Sequence, residues 1–322
     1  MRQAMAPHSR GSRLREYAIM LRRFVLFLTV GCVWTSIAVA QDEIVRVERE
    51  NPTPCATPCD RIAVIFVHGI TGAKSTWKND NGAYWPQLLA DDPQIGVKLD
   101  IYRIDYDSFI LSPGPAAEDV SEVLAAKLDE LIFSERRYKK VVFICHSLGG
   151  ILCRRHLIHV KMRYSHKYAS IFGLIVTLGT PMRGSELTKF ARLGSQNQQF
   201  RVLAEDDIND FLHFLRHVNR DFDLKRNDVC GRITYLAGYE TLPVFPMGVI
   251  VPRESATLLA TRSKEFAKNH IELVKPRGRD DGEVYDWVKN EIMQCDIGSA
   301  MCMPIQPSCP GAMPPWLAEG LR

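Results

Sequence analysis

The chain has 322 residues, with 41 Lys+Arg against 37 Asp+Glu and a formal net charge of +4. Setting aside Arg2, Arg10, Arg13, Arg15, Arg22, Arg23 and Glu16 in the first forty residues leaves 35 basic and 36 acidic side chains, so nucleic-acid binding through bulk charge loses its support. With 46% hydrophobic and 24% charged residues, the chain can bury a full core and is neither disordered nor collagen-like; one large domain fits the length better than two small ones.

In chain order, Arg22-Arg23 precede an apolar run from Phe24 to Ile37 that ends at Ala38-Val39-Ala40. A charged start, an apolar stretch and an A-x-A site describe a secretory signal peptide over residues 1–40. Met20 sits just before the two arginines, so residues 1–19 are read as coming from an upstream start codon. The run is short for a membrane span, and polar Gln41-Asp42-Glu43 favours cleavage over an uncleaved anchor. Cys32 makes a poor lipoprotein site, because Thr29 holds the usual Leu position and apolar residues continue after it. Export to a periplasmic or extracellular compartment is the expectation.

Residues 41–60, polar with three prolines, read as a linker. A single large domain over 61–294 follows, in which apolar β-rich runs alternate with helical patterns. Arg61–Val67 is a buried strand, Tyr84–Asp91 a short helix and Val97–Ile104 a second strand. Ala116–Phe133 places Val120, Val123, Leu124, Leu128, Leu131 and Ile132 on one helical face. Val141–Cys145, Ile171–Leu178 and Ile233–Gly238 are further strands, with a helix from about Gly149 to Tyr164 and a closing helix over Asp281–Met293. Such short, continuously apolar strands imply a mostly parallel sheet covered on both faces, an α/β class. Residues 182–230, amphipathic around Phe211, Leu212, Leu215 and Val218, are read as an insertion capping the sheet's C-terminal edge. Residues 295–322 form a Cys- and Pro-rich tail.

Eight cysteines follow the leader. Cys145 and Cys153 lie in apolar surroundings and are read as buried free thiols. Cys55, Cys59, Cys230, Cys295, Cys302 and Cys309 flank the core and, in an oxidising compartment, are expected to form disulfides of unassigned pairing. A zinc site is disfavoured, because Cys55-x3-Cys59 has no second pair at ligand spacing.

The strand at 141–145 runs directly into His146-Ser147-Leu148-Gly149-Gly150 and a helix. A serine at the apex of such a strand–turn–helix stands clear of the sheet, with the amides of the next helix facing its oxygen. Small residues are required around that apex, and Cys145 departs from the G-x-S-x-G pattern at its first position. His68-Gly69-Ile70-Thr71-Gly72, after the first core strand, stands where an oxyanion loop belongs. The backbone N–H groups of Ile70 and Leu148 are the candidate oxyanion donors.

With Leu178–Ser185 (LGTPMRGS), Tyr239–Val244 (YETLPV), Val251–Ala256 (VPRESA) and Asn269–Pro276 (NHIELVKP), the chain resembles the α/β-hydrolase superfamily over about residues 60–292. The likeness is to the lipase-like group of serine-active-site-containing proteins and GPI inositol-deacylase-like esterases. It implies a serine carboxylesterase or lipase, cleaving or transferring acyl groups of small-molecule or lipid esters without a cofactor or metal.

The base should follow the acid in chain order, and His270 alone lies downstream of the fifth predicted strand. His68 and His146 are read as packing or loop-ordering residues. The pairs His156/His159 and His213/His217 have helical spacing but no acidic companion motif, so solvated helix faces are the better reading. For the acid, Glu254 is preferred over Glu240, because it matches the resembling group before Ser-Ala; chain order fits both. Peripheral membrane contact is compatible with a lipid substrate. The rival reading is a catalytically silent fold acting as a binding or assembly module. Chain length, head group and oligomeric state are not legible.

Overall fold

The computed structural model describes residues 43–50, 61–69, 74–106, 117–131, 138–163, 172–184, 205–226, 233–280 and 282–296. The leader, Ile70, the tail beyond Asp296 and the segment 185–204 lie outside these, as does every flanking cysteine except Cys295. Seven strands form one sheet: β1 (Glu43–Val47), β2 (Ile62–Val67), β3 (Leu99–Asp105), β4 (Lys140–His146), β5 (Phe172–Leu178), β6 (Thr234–Glu240) and β7 (Arg262–Phe266). Their spatial order is β1-β3-β2-β4-β5-β6-β7. Every pairing is parallel except β1 on β3.

The helices are α1 (Trp85–Ala90), α2 (Ala117–Glu130), α3 (Gly149–Arg163), α4 (Glu205–Arg226), α5 (Arg253–Ala256) and α6 (Val284–Asp296). Strand alternation divides the core in two. On one face Ala63, Ile65 and Val67 of β2 join Val141, Phe143 and Cys145 of β4 and Ile151, Leu152 and Leu157 of α3. On the other, Ile62, Val64 and Phe66 meet Trp77, Trp85, Leu89, Val288 and Ile292. All six β2 residues are buried, because in a parallel sheet layered by helices both side-chain directions point into apolar packing.

Two strands escaped the sequence reading. Residues 43–47 of the expected linker instead pair with β3, register Glu43 to Asp105. Edge position explains why EIVRV lacks the apolar run of a central strand, and a half-buried ion pair holds it. Asp100 accepts from Arg46 and is bridged by Arg61, both at 2.8 Å. Burial alone would raise the Asp100 carboxyl, but its arginine hydrogen bonds prevail and hold it below the usual carboxylate range. At the other edge β7 reads RSKEF with three exposed side chains, where propensity carries no signal.

The expected cap contains the 22-residue α4. Leu215, Val218 and Phe222 bury against the α3 side of the core, and Asn219 donates to the Met182 carbonyl at 2.6 Å just beyond β5. The closing helix starts three residues later than its pattern suggested, after Gly282 at φ +67°. Tyr285 and Lys289 dock it onto Asp92 behind α1, the tyrosine hydroxyl donating at 2.7 Å. Cys145 and Cys153, read as free thiols, face each other between β4 and α3 as a disulfide candidate, Cα atoms 7.2 Å apart. Cys295 is also disulfide-bonded. Among the described residues no helix is long and apolar enough to cross a membrane.

Candidate active site

The six parallel strands, β2 to β7, end on the same side of the sheet, and Ser147 follows β4 there. The β4 strand stops at His146, and Ser147 takes φ +52° before α3 begins at Gly149. A left-handed conformation at a residue with a side chain costs free energy, and here it turns the chain by a sharp corner between strand and helix. The turn is held by Ser147 N–H donating to the Leu178 carbonyl at 3.0 Å and by Gly150 N–H donating to the Ser147 carbonyl at 3.1 Å. Cys145 fits at the first motif position because its side chain leaves the turn for the α3 side of the core, where it meets Cys153.

Leu148 lies between Ser147 and α3, so its N–H belongs to the unpaired donors at the helix N-terminus. The loop after β2 comes against the serine. A Cβ on Gly69 would stand 2.6 Å from Ser147 Cβ and 3.0 Å from its Oγ, so only glycine fits. His68 organises this approach. Its Nδ1–H donates to the Gly69 carbonyl at 2.8 Å, its Nε2 accepts from the Tyr106 N–H, and its ring stacks on Tyr106 at 4.2 Å. Burial lowers the His68 pKa and favours the neutral ring with that tautomer. Ile70, the other expected oxyanion donor, lies outside the described residues.

His270 follows β7 in a turn ordered by Asn269, whose Oδ1 accepts from the Ile271 and Glu272 N–H groups at 3.0 and 2.9 Å. Its Nδ1–H donates to Glu240 Oε1 at 3.0 Å, and both residues are buried. That leaves Nε2 as the acceptor nitrogen. Glu240 ends β6, and the same Oε1 accepts from the Val251 N–H at 2.8 Å. Gly179, at φ +59°, backs the pair. A Cβ there would lie 2.9 Å from both Glu240 Oε2 and His270 Nδ1.

The expectation for Glu254 is corrected. It sits in the exposed first turn of α5, and the structure brings Glu240, not Glu254, to His270. The four-residue helix turns Ser255 and Ala256 inward, Ser255 Oγ accepting from the Arg183 N–H at 3.0 Å, and leaves Arg253 and Glu254 outward. Chain order could not separate the two glutamates, because both follow β6. The roles of Val251 and Gly179 were also missed, although Gly179 stood in the quoted LGTPMRGS motif.

The remaining histidine readings can be placed. His213 and His217 contact each other at 3.2 Å on an exposed helix face. His156, read as lying on a solvated helix face, is instead buried between Phe143 and Phe172, ring centroids 5.7 and 5.8 Å away. Among the described residues no group of three or more His, Cys, Asp and Glu side chains is arranged to hold a metal.

A seven-stranded, mostly parallel sheet with a strained serine corner and a buried histidine–carboxylate pair at its C-terminal side is the architecture of an α/β hydrolase. The Alpha/beta hydrolase family matches residues 64–276, and the chain belongs to that family. Protein SERAC1 of Bos taurus is 24% identical over 245 residues, and that of Homo sapiens 26% over 246; each alignment covers 67% of this chain. The chain spans 36% of the length of these curated relatives. The crystal structure of Bacillus licheniformis lipase BlEst2 in mature form superposes with a TM-score of 0.50 at 21% identity, covering 78% of this chain and 96% of that one. This likeness extends to the fold.

Proposed function

We propose that the protein is an exported serine hydrolase that cleaves or transfers acyl esters through a covalent acyl-enzyme. The observation that carries this reading is the buried His270–Glu240 pair beside the strained Ser147 corner. Ser147 Oγ attacks the acyl carbonyl while His270 Nε2 takes its proton. Glu240 holds the Nδ1–H tautomer and stabilises the imidazolium that forms. The Leu148 N–H, with that of Ile70, receives the negative charge developing on the carbonyl oxygen. As the tetrahedral intermediate collapses, the His270 imidazolium gives its proton to the departing alcohol and leaves the acyl-serine; water or an alcohol then attacks that ester, with His270 acting as base again and returning the proton to Ser147.

An apolar, lipid-type ester is the proposed substrate, met at a membrane surface. Among the described residues five large apolar side chains are exposed, and three of them (Leu242, Phe245 and Ile271) lie in the loops next to Glu240 and His270. The Cys145–Cys153 disulfide candidate and the bonded Cys295 suit an oxidising compartment.

The test is turnover of p-nitrophenyl esters from C2 to C16, offered as monomers and in vesicles, by the wild type and S147A, with fluorophosphonate labelling alongside. Turnover and labelling that both vanish in S147A are expected. A wild type that neither turns over ester nor takes the label would overturn this reading in favour of a silent binding module.

A further inference from the structure

His146 precedes the nucleophile, and the mechanism above gives it no step. Yet it makes two contacts to His270 across 124 residues of chain. Its Nε2–H donates to the His270 main-chain oxygen at 3.0 Å. Its ring packs on the His270 imidazole, centroids 4.7 Å apart and tilted by 40°. Behind it stands an aromatic platform. Trp77 meets His146 edge-on at 6.3 Å, and Trp77 is itself packed by Phe66 at 4.9 Å and Trp85 at 6.2 Å. Both tryptophans are fully buried.

Consider what this does to His270. Glu240 restrains the imidazole at Nδ1 and leaves the backbone beneath it to the Asn269 turn. The bond from His146 ties the base-bearing loop to the residue immediately before the nucleophile, so the two reacting side chains share one rigid reference.

We propose that His146 is a positioning residue for the base: its hydrogen bond to the His270 carbonyl sets the reach of His270 to Ser147. Burial, reinforced by neighbouring His270, holds the His146 pKa well below the usual histidine value. The ring therefore stays neutral where esterases work, and one tautomer keeps Nε2–H as the donor.

This inference rests on the hydrolase reading, so its test must separate the two. H146Q keeps an N–H donor at about the reach of Nε2; H146M has the same length and no donor; H146N has a donor that falls short. The full chain is produced as each variant. The readouts are fluorophosphonate labelling rate, kcat and KM on a soluble short-chain ester, and Tm.

Misplacement of a reacting group by about 1 Å costs about 100-fold in rate. H146M is therefore expected to lose about 10- to 100-fold in kcat and labelling rate, with KM changed less than about 2-fold. H146Q should stay within about 3-fold of wild type, although its Tm lies close to that of H146M. Equal rates for H146Q and H146M, or losses that follow Tm alone, would overturn the proposal. Should H146M not fold, H146Q against H146N decides on the same criterion. A wild type that takes no label overturns the hydrolase reading and this inference with it.

Discussion

The assignment of the acid can be tested by exchanging a single atom. In E240Q the side chain keeps its shape, and the Val251 N–H, which donates to Oε1 at 2.8 Å, should keep the amide oxygen at that position. The His270 Nδ1–H, 3.0 Å from the same oxygen, then retains an acceptor and its tautomer. What E240Q removes is the charge opposite the imidazolium that forms as Ser147 gives up its proton. Two unit charges 3 Å apart interact by about 5 kcal/mol at an effective dielectric of about 20, and the amide dipole recovers part of that. A net loss of about 3–4 kcal/mol corresponds to a fall of about 10²- to 10³-fold in kcat/KM. The exposed Glu254 has no such contact, and E254Q should stay within about 2-fold. The assay is steady-state hydrolysis of a soluble ester with both variants at matched Tm. A large loss in E254Q with wild-type activity in E240Q would refute the geometry-based assignment.

Two further perturbations probe the surroundings of the pair. G179A places a Cβ 2.9 Å from Glu240 Oε2 and His270 Nδ1 at a φ of +59°. Left-handed strain of about 1–2 kcal/mol should lower Tm by about 3–6 °C. Crowding of the pair should cut kcat at least about 100-fold; a kcat within about 3-fold of wild type would show that the pair tolerates the methyl group. His156 concerns acid stability. Its pKa is lowered by burial from 6.5 to about 3, and among the described residues neither ring nitrogen has a hydrogen-bond partner. The unfolded chain then binds more protons than the folded one between pH 6.5 and about 3, so stability is fully present above 6.5 and declines on acidification. Between pH 7 and 4.5 the loss is on the order of 2–3 kcal/mol. Replacing the ring by leucine should flatten the Tm-against-pH curve in that window; parallel curves for wild type and H156L would rule the argument out.

Several elements were legible because their signals are local. Ile62–Val67 is apolar at every position and becomes a strand buried on both faces. The Val141–Cys145 run followed by HSLGG places a serine at a strand–helix corner, because a strand entering a helix through small residues has few other conformations. The amphipathic stripe in residues 205–226 announces α4 through Leu215 and Val218. Edge strands were illegible for the converse reason. β1 and β7 bury one face or less, so their composition resembles that of loops until a partner strand is known. Cys145 and Cys153 looked like two apolar thiols because their meeting depends on how α3 lies over β4.

The sequence by itself determined the class of sheet, the serine at its corner and the one histidine downstream of the fifth strand it predicted, all through short-range pattern and chain order. Only the tertiary structure decided which glutamate meets His270, why residue 179 must lack a side chain, and that His146 reaches across to the His270 backbone. These choices turn on contacts of about 3 Å between segments 30 to 124 residues apart. No spacing along the chain encodes such contacts. The path of the loops after β6 and β7 sets them, and packing of those loops against the sheet's C-terminal edge sets that path.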